Sequence, residues 1–315
     1  MIITLTLNPA VDKTIEIDAF QVNHVNRVSS ARLDAGGKGI NVSKVVHVLG
    51  EKSKAVGILA GKSGGFIKKQ LDLLEIENDF VFVEGETRTN IKIVDRINSL
   101  NTDINEKGPD ISDYDLEEVI NKIIESVNDK NILVLSGSVP SNIDSSIYKV
   151  LIAKAKKKDV KTILDADGEL LRQGIEAGPY LVKPNIHELE RLYNTKIASI
   201  NEAIEIARDI LKYGVELIVI SLGGEGSIFM TREETVIVEG IEVDAISTVG
   251  AGDSMVGALA VSTHRGYSLE KAIKLAAATS AAAVMTSGTE PGELRVIKEL
   301  QKKVKLITYD NRRVV

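Results

Sequence analysis

There is no cysteine in the 315-residue chain. That excludes disulfides, thiolate zinc sites and a cysteine nucleophile, and it fits a cytoplasmic protein. Tryptophan is absent too, and aromatic residues make up only 4%, so stacking platforms for bases or polysaccharides find no support. The histidines, His24, His47, His187 and His264, are too scattered for a histidine metal site. No run of 18 apolar residues occurs, so no span of a membrane is expected. The start, MIITLTLNPA, reads as a strand and lacks the basic opening of a signal peptide. Positive charge is in deficit: the formal net charge is −6, which gives a nucleic-acid partner no electrostatic support.

What is there is a globular composition, 43% hydrophobic, of a length that suits one large α/β domain or two smaller ones. Ile2 to Leu7 is a buried strand ending in Asn8-Pro9-Ala10-Val11-Asp12. Asp12 therefore follows a strand end, where α/β proteins place ligand groups. After Gly108-Pro109, helical faces such as Leu116, Val119, Ile120 and Ile123 alternate with short apolar strands at 132–135, 162–164, 180–182 and 217–220. Ser136, Asn185 and Ser221 recur at the ends of those strands. Ser227–Met230 and Thr235–Val238 alternate like antiparallel strands. Two other alternating segments, about 13–31 and 87–107, fall outside this series and read as a small exposed sheet able to fold over a site. Within it Asn101-Thr102-Asp103 reads as a turn.

Two glycine-rich turns lead into helices. Gly36-Gly37-Lys38-Gly39-Ile40-Asn41 precedes Val42, Val45, Val46 and Leu49 at helical spacing. Thr248-Val249-Gly250-Ala251-Gly252-Asp253-Ser254 precedes an apolar run closed by Gly266. Free backbone N–H groups and the helix dipole make such starts ready anion sites. Asp253 at that spot could take a proton from an attacking hydroxyl, or could merely cap the helix. A third turn, Gly61-Lys62-Ser63, suggests a P-loop. The glycine that motif needs five residues earlier is Val56, and Gly57 is one residue too close.

The pair of turns, in this order and about two hundred residues apart, resembles the two signatures of the ribokinase-like carbohydrate kinases, the PfkB family. Asn8 to Asp12, Ser136-Gly137-Ser138-Val139-Pro140, Lys183-Pro184-Asn185 with Glu188, and Ser221 to Gly226 extend the resemblance over nearly the whole chain. It implies a three-layer α/β sandwich with a mostly parallel central sheet and a small β lid, as a single domain over 1–315. It implies Asp253 as the base, with Gly250, Ala251 and Gly252 forming the anion hole. Asp12, Gly37, Lys38, Asn41 and Ser138 would hold the sugar. Lys183, Asn185, Ser221, Gly223, Gly226 and Thr248 would line the site of ATP, and Asn185 and Glu188 would organise Mg²⁺ through water.

Within the family the chain is similar to the sugar-phosphate branch. Arg88 and Asn90 in Glu86-Thr87-Arg88-Thr89-Asn90, with Arg27, resemble its phosphate clamps, joined by Lys38. Fructose 1-phosphate, giving fructose 1,6-bisphosphate, is the expected acceptor, with tagatose 6-phosphate and fructose 6-phosphate as alternatives. A homodimer through the lid sheets is implied as well. Two readings of other classes stay open: a P-loop NTPase and a non-catalytic sugar-phosphate sensor.

Overall fold

Side chains alternate between two hydrophobic layers along β1 (Ile2–Thr6), the strand around which the sheet is built. Ile3 and Leu5 face one core and Ile2 the other, and all three are inaccessible to solvent. A strand buried on both faces carries no polar alternation, which is why the sequence there reads as a continuous apolar run. The computed structural model describes residues 1–98 and 100–309.

In chain order the strands after β1 are β2 (Ala10–Ile17), β3 (Ser30–Gly36), β4 (Ser53–Ala60), β5 (Glu77–Val83), β6 (Arg88–Asp95), β7 (Leu100–Asn105), β8 (Ile132–Ser136), β9 (Lys161–Asp165), β10 (Leu181–Val182), β11 (Leu217–Ser221), β12 (Gly226–Met230), β13 (Thr235–Glu239) and β14 (Leu306–Tyr309). The helices are α1 (Lys38–Val48), α2 (Gly61–Leu73), α3 (Asp113–Ser126), α4 (Ile147–Lys156), α5 (Gly168–Glu176), α6 (Ile186–Tyr193), α7 (Ile200–Ile210), α8 (Ala251–His264), α9 (Leu269–Ala283) and α10 (Leu294–Leu300).

The main sheet has the order β14-β13-β12-β11-β10-β9-β8-β1-β4-β5. It is parallel from β11 to β5 and antiparallel from β11 to β14. Helices α3 to α7 supply the core on one face, and α1, α8, α9 and α10 the core on the other. Chain order reverses beside β1, so the carboxyl ends of β1 and β8 open a crevice of the kind that receives ligands in parallel sheets.

Lid and site share one device. Strands β3-β2-β6-β7 form a second, four-stranded sheet. Its register pairs Asp34, Asp12, Asn90 and Asn105 across the four strands, so one row of one face is polar. The neighbouring row, on the opposite face, is Leu33, Lys13, Ile91 and Ile104. Asn101-Thr102-Asp103 is not a turn: it lies inside β7, paired with Ile93 and its neighbours, and the reversal occurs around residues 96–98. Polar residues on an edge strand of an exposed sheet look like turn residues because nothing demands apolar alternation there. Strand β14 also went unforeseen; it closes the antiparallel edge against β13.

Candidate active site

Helix α8 begins at Gly250, whose φ of 80° places it in the left-handed region where glycine is favoured, and no side chain caps the helix. Its first-turn acid, Asp253, is therefore not a cap. Its carboxylate Oδ2 accepts a 2.8 Å hydrogen bond from Nδ2 of Asn41 on α1. Helices α1 and α8 can bring these groups together because they meet at Gly257. A Cβ there would sit 2.7 Å from Val45 Cγ1 and 3.3 Å from the Val42 carbonyl oxygen. Helix α1 starts from another uncapped glycine, Gly37 with φ 112°. Two helix N-termini with free N–H groups thus stand side by side.

Beneath them lies a buried ion cluster. Asp165, at the end of β9 and 1% exposed, has Lys38 Nζ and Lys183 Nζ both 3.3 Å from its Oδ1. Burial opposes ionisation of Asp165, yet the two ammonium groups hold its pKa below the ordinary value. A Cβ on Gly252 would lie 3.4 Å from Lys183 Nζ, so that ammonium borders the start of α8. Asp253 is pushed up to about 6, by burial first and by Asp165 in addition, against the pull of Lys38, Asn41 and Lys183. A carboxylate so tuned is an effective proton acceptor near neutral pH.

At the lid end, Asp12 Oδ1 accepts from Asn90 Nδ2 at 3.0 Å. Burial raises the pKa of Asp12, while Asn90, Lys44 and Arg88 work the other way. Arg88 donates to the Asn8 carbonyl at 3.1 Å and the Glu106 carbonyl at 3.2 Å, and its Nε has no partner. The strand carrying Arg88 is pinned at its start: Thr87 exchanges bonds with Ala60, and Glu86 accepts from the N–H groups of Lys62 and Ser63. That last contact also disposes of the P-loop. The N-terminus of α2, where a phosphate would sit, is filled by the chain's own carboxylate.

Asp253, Asn41, Lys38, Asp165, Lys183, Asp12, Asn90 and Arg88 line one cavity of about 1190 Å³, larger than the several hundred cubic ångströms that one small ligand needs. Buried polar atoms with no hydrogen-bond partner gather on its wall: Thr6 Oγ1, Asn41 Oδ1, Arg88 Nε, Asn90 Oδ1, Ser136 Oγ and both Asp165 oxygens. Such atoms are costly in an empty protein and are the expected mark of a site that a polar ligand completes. Away from the lid the same cavity is bounded by Ser221, Gly223, Gly226, Thr248 and the apolar Val243, Ala281 and Val284. Asn185 and Ser221 form an isolated parallel bridge that extends the pairing of β10 and β11 to this rim.

Of the residues that the kinase resemblance assigns to the site, only Arg27 does not line this cavity. Arg27 is exposed in the connection between β2 and β3, which carries it away from the wall. Lys38 also differs from expectation. Its charged neighbours are Asp165, Asp253 and Glu188, so it serves the proton-acceptor end of the cavity instead of gripping a distal phosphate beside Arg88. Asn185 and Glu188 form a reciprocal capping box at the start of α6, each side chain accepting the other's N–H at 2.8 Å. Asp165 was missed as a site residue. Its signal was an acid at the end of a buried parallel strand, a position that only the sheet order connects to Lys38 and Lys183.

Among the described residues no three His, Cys, Asp or Glu groups cluster to cage an ion. Glu188 is nonetheless buried at 7% exposure, and burial followed by the nearby Asp165 raises its pKa, so a cation beside it would be favoured. This fits Mg²⁺ that keeps its waters and arrives with phosphate groups, the usual habit of that ion.

The chain has relatives among known proteins. Residues 5–294 match the description "pfkB family carbohydrate kinase". A 1-phosphofructokinase of Borreliella burgdorferi is 39% identical over 286 residues, 90% of this chain and 92% of that protein. A tagatose-6-phosphate kinase of Staphylococcus epidermidis is 33% identical over 98% of this chain and 99% of its own length. Phosphofructokinase-2 from Escherichia coli, solved in complex with substrates and products, superposes with a TM-score of 0.91 at 27% identity, covering 96% of this chain and 98% of that one. The chain belongs to the pfkB family of carbohydrate kinases.

Proposed function

We propose that the protein transfers the γ-phosphoryl group of ATP to fructose 1-phosphate, giving fructose 1,6-bisphosphate and ADP. The observation that carries this reading is Asp253. It is a buried carboxylate with a pKa near 6, set in the first turn of an uncapped helix between two lysines. A group that only capped a helix would need neither the lysines nor the Asn41 bond.

In the reaction so assigned, the C6 hydroxyl of the sugar attacks the γ-phosphorus. Its proton passes to a carboxylate oxygen of Asp253, the new O–P bond forms, and the bond to the β-phosphate oxygen breaks with its electron pair leaving on ADP. Phosphoryl transfer asks a protein mainly for positioning and charge stabilisation. The N–H groups of Gly250, Ala251, Gly252 and Asp253 face the charge that grows on the phosphoryl oxygens. Lys38 and Lys183 neutralise it from two sides. Asn185 and Glu188 would hold Mg²⁺ when it is bound, and the ion would supply charge neutralisation on the nucleotide phosphates.

Arg88, with Asn90 and Asp12, holds the far end of the acceptor, its 1-phosphate and hydroxyls. Gly37, Asn41 and Ser138 complete the sugar's surroundings, and Ser221, Gly223, Gly226 and Thr248 receive the nucleotide. The whole of 1–315 acts as a single kinase domain with a lid. No helix among the described residues is long and apolar enough to cross a membrane, and the assigned site of action is the cytoplasm. Leu33, Leu100 and Ile104 stand 51%, 61% and 51% exposed on one face of the lid, and a second copy of the chain covers them in a homodimer. Arg27, displaced from its own cavity, has no assigned part within one protomer.

The test is a set of specificity constants for fructose 1-phosphate, tagatose 6-phosphate, fructose 6-phosphate and fructose on one preparation. Fructose 1-phosphate should lead, and Arg88→Met should raise KM for it with KM for ATP unchanged. Equal rates with fructose and its phosphates would overturn the assignment of Arg88 and of the substrate.

A further inference from the structure

We propose that Asp165 is the positioning residue that spaces Lys38 and Lys183 on opposite sides of the transferring phosphoryl group. The inference rests on the kinase reading above and goes beyond it. Three facts converge. Asp165 stands on the cavity wall at 1% exposure, with both carboxylate oxygens buried. Both lysines reach the same oxygen at 3.3 Å from different elements, one opening α1 and one following β10. And neither carboxylate oxygen has a backbone N–H or neutral side-chain donor, the two ammonium groups being its partners. A purely structural buried aspartate would be saturated by backbone N–H groups, because an unpaired buried acceptor is destabilising. This one is held only by the two ammonium groups.

The arrangement solves an electrostatic problem. Two lysines on one cavity wall repel each other and would splay before substrate arrives. A single anion between them keeps both in place, with Lys183 beside Gly252 at the start of α8 and Lys38 toward Asp253. When the phosphoryl group enters, the lysines exchange part of their interaction with Asp165 for the incoming charge without travelling, which is electrostatic preorganisation. The charged groups facing Asp253 are Lys38 from α1, Asp165 from β9 and Lys183 after β10. Asn41 is its hydrogen-bond donor, and Glu188 on α6 faces the same lysines.

The experiment compares Asp165→Asn and Lys38→Met with the wild type in pH profiles of kcat/KM and in separate kcat and KM values. Asp165→Asn should lower kcat by about 10²-fold with KM for both substrates changed only a few-fold. It should also move the acidic limb to lower pH, because the like charge beside Asp253 is gone. Lys38→Met should move the same limb to higher pH. A merely structural Asp165 would leave the limb where it is or move it alike in both variants, and either result overturns the proposal. So does kcat within twofold of wild type for Asp165→Asn. If Asp165→Asn does not fold, the Lys38→Met limb still decides: a limb unmoved or lowered refutes the cluster. Failure of the wild type to phosphorylate any sugar phosphate is a separate result, which refutes the kinase reading instead.

Discussion

Replacing Asp253 by Asn should cost activity and add stability, and the two effects should part company with pH. The carboxylate is pushed from 3.8 to about 6 by burial and by Asp165. Because the folded-state pKa lies above the unfolded one, ionised Asp253 destabilises the fold. The penalty is absent below the unfolded pKa and reaches its full size once pH exceeds about 6. A shift of roughly two units corresponds to about 3 kcal/mol. Asparagine has the same shape, keeps an oxygen for the Asn41 amide and carries no charge, so the variant escapes that penalty. For a chain of this length, with an unfolding entropy of about 2 cal/mol/K per residue, the gain amounts to about 4–5 °C in Tm at pH 8.

Thermal melts of wild type and Asp253→Asn at pH 8 and pH 4.5 test this directly. The variant should be the more stable at pH 8, and the difference should shrink to roughly a third at pH 4.5. In a coupled assay for ADP its turnover should fall by at least 10², the upper part of the usual range for a general base. Wild-type kcat/KM should lose activity as pH falls through about 6. A sensor on a kinase fold would keep its function in the variant. Equal melting temperatures at both pH values would refute the electrostatic account of Asp253. Undiminished turnover would refute its role as base.

Two further perturbations probe the framework. Gly257→Val places atoms where Val45 Cγ1 already stands 2.7 Å from a Cβ. Helices α1 and α8 must separate, costing about 1–3 kcal/mol of stability and the alignment of Asn41 with Asp253, so kcat should fall more steeply than substrate affinity; unchanged kcat would refute the claim that this contact aligns the site. Leu33→Asp on the exposed lid face should convert a dimer into a species near the 34.1 kDa of one chain by sedimentation; a wild type that sediments as a monomer would remove the dimer from the reading.

The sheet and its helices were legible because the strands of the parallel core, the edge strand β5 excepted, are apolar on both faces and end at or next to a polar or glycine residue. The register of that edge follows from local sequence. The two anion-binding turns were legible for the same reason: Gly37 and Gly250 need backbone conformations that few other residues adopt, and the helix after each begins at once. The lid gave a fainter signal. Its strands are short and, on one face, polar from edge to edge, so β7 passed for a turn. No local rule could have placed β14, which pairs with β13 across nearly seventy residues of intervening chain.

What the sequence withheld is the wiring between distant segments, and that wiring decides the chemistry. Asp253 by itself is an acid after a glycine turn, as ready to cap a helix as to accept a proton. It becomes a base because Asn41, over two hundred residues earlier, takes the place of the helix as its hydrogen-bond partner. It is held near 6 because Asp165 is close enough to oppose its charge while Lys38 and Lys183 keep the opposition from going further. Glu86 shows the reverse case. Gly61-Lys62-Ser63 has the residues of an anion site, and the structure spends that site on an internal carboxylate that fixes the start of the Arg88 strand. A glycine turn before a helix states only that an anion is welcome. Which anion comes is settled by whether the fold already supplies one, as at α2, or leaves the N-terminus open and sets cations around it, as at α8.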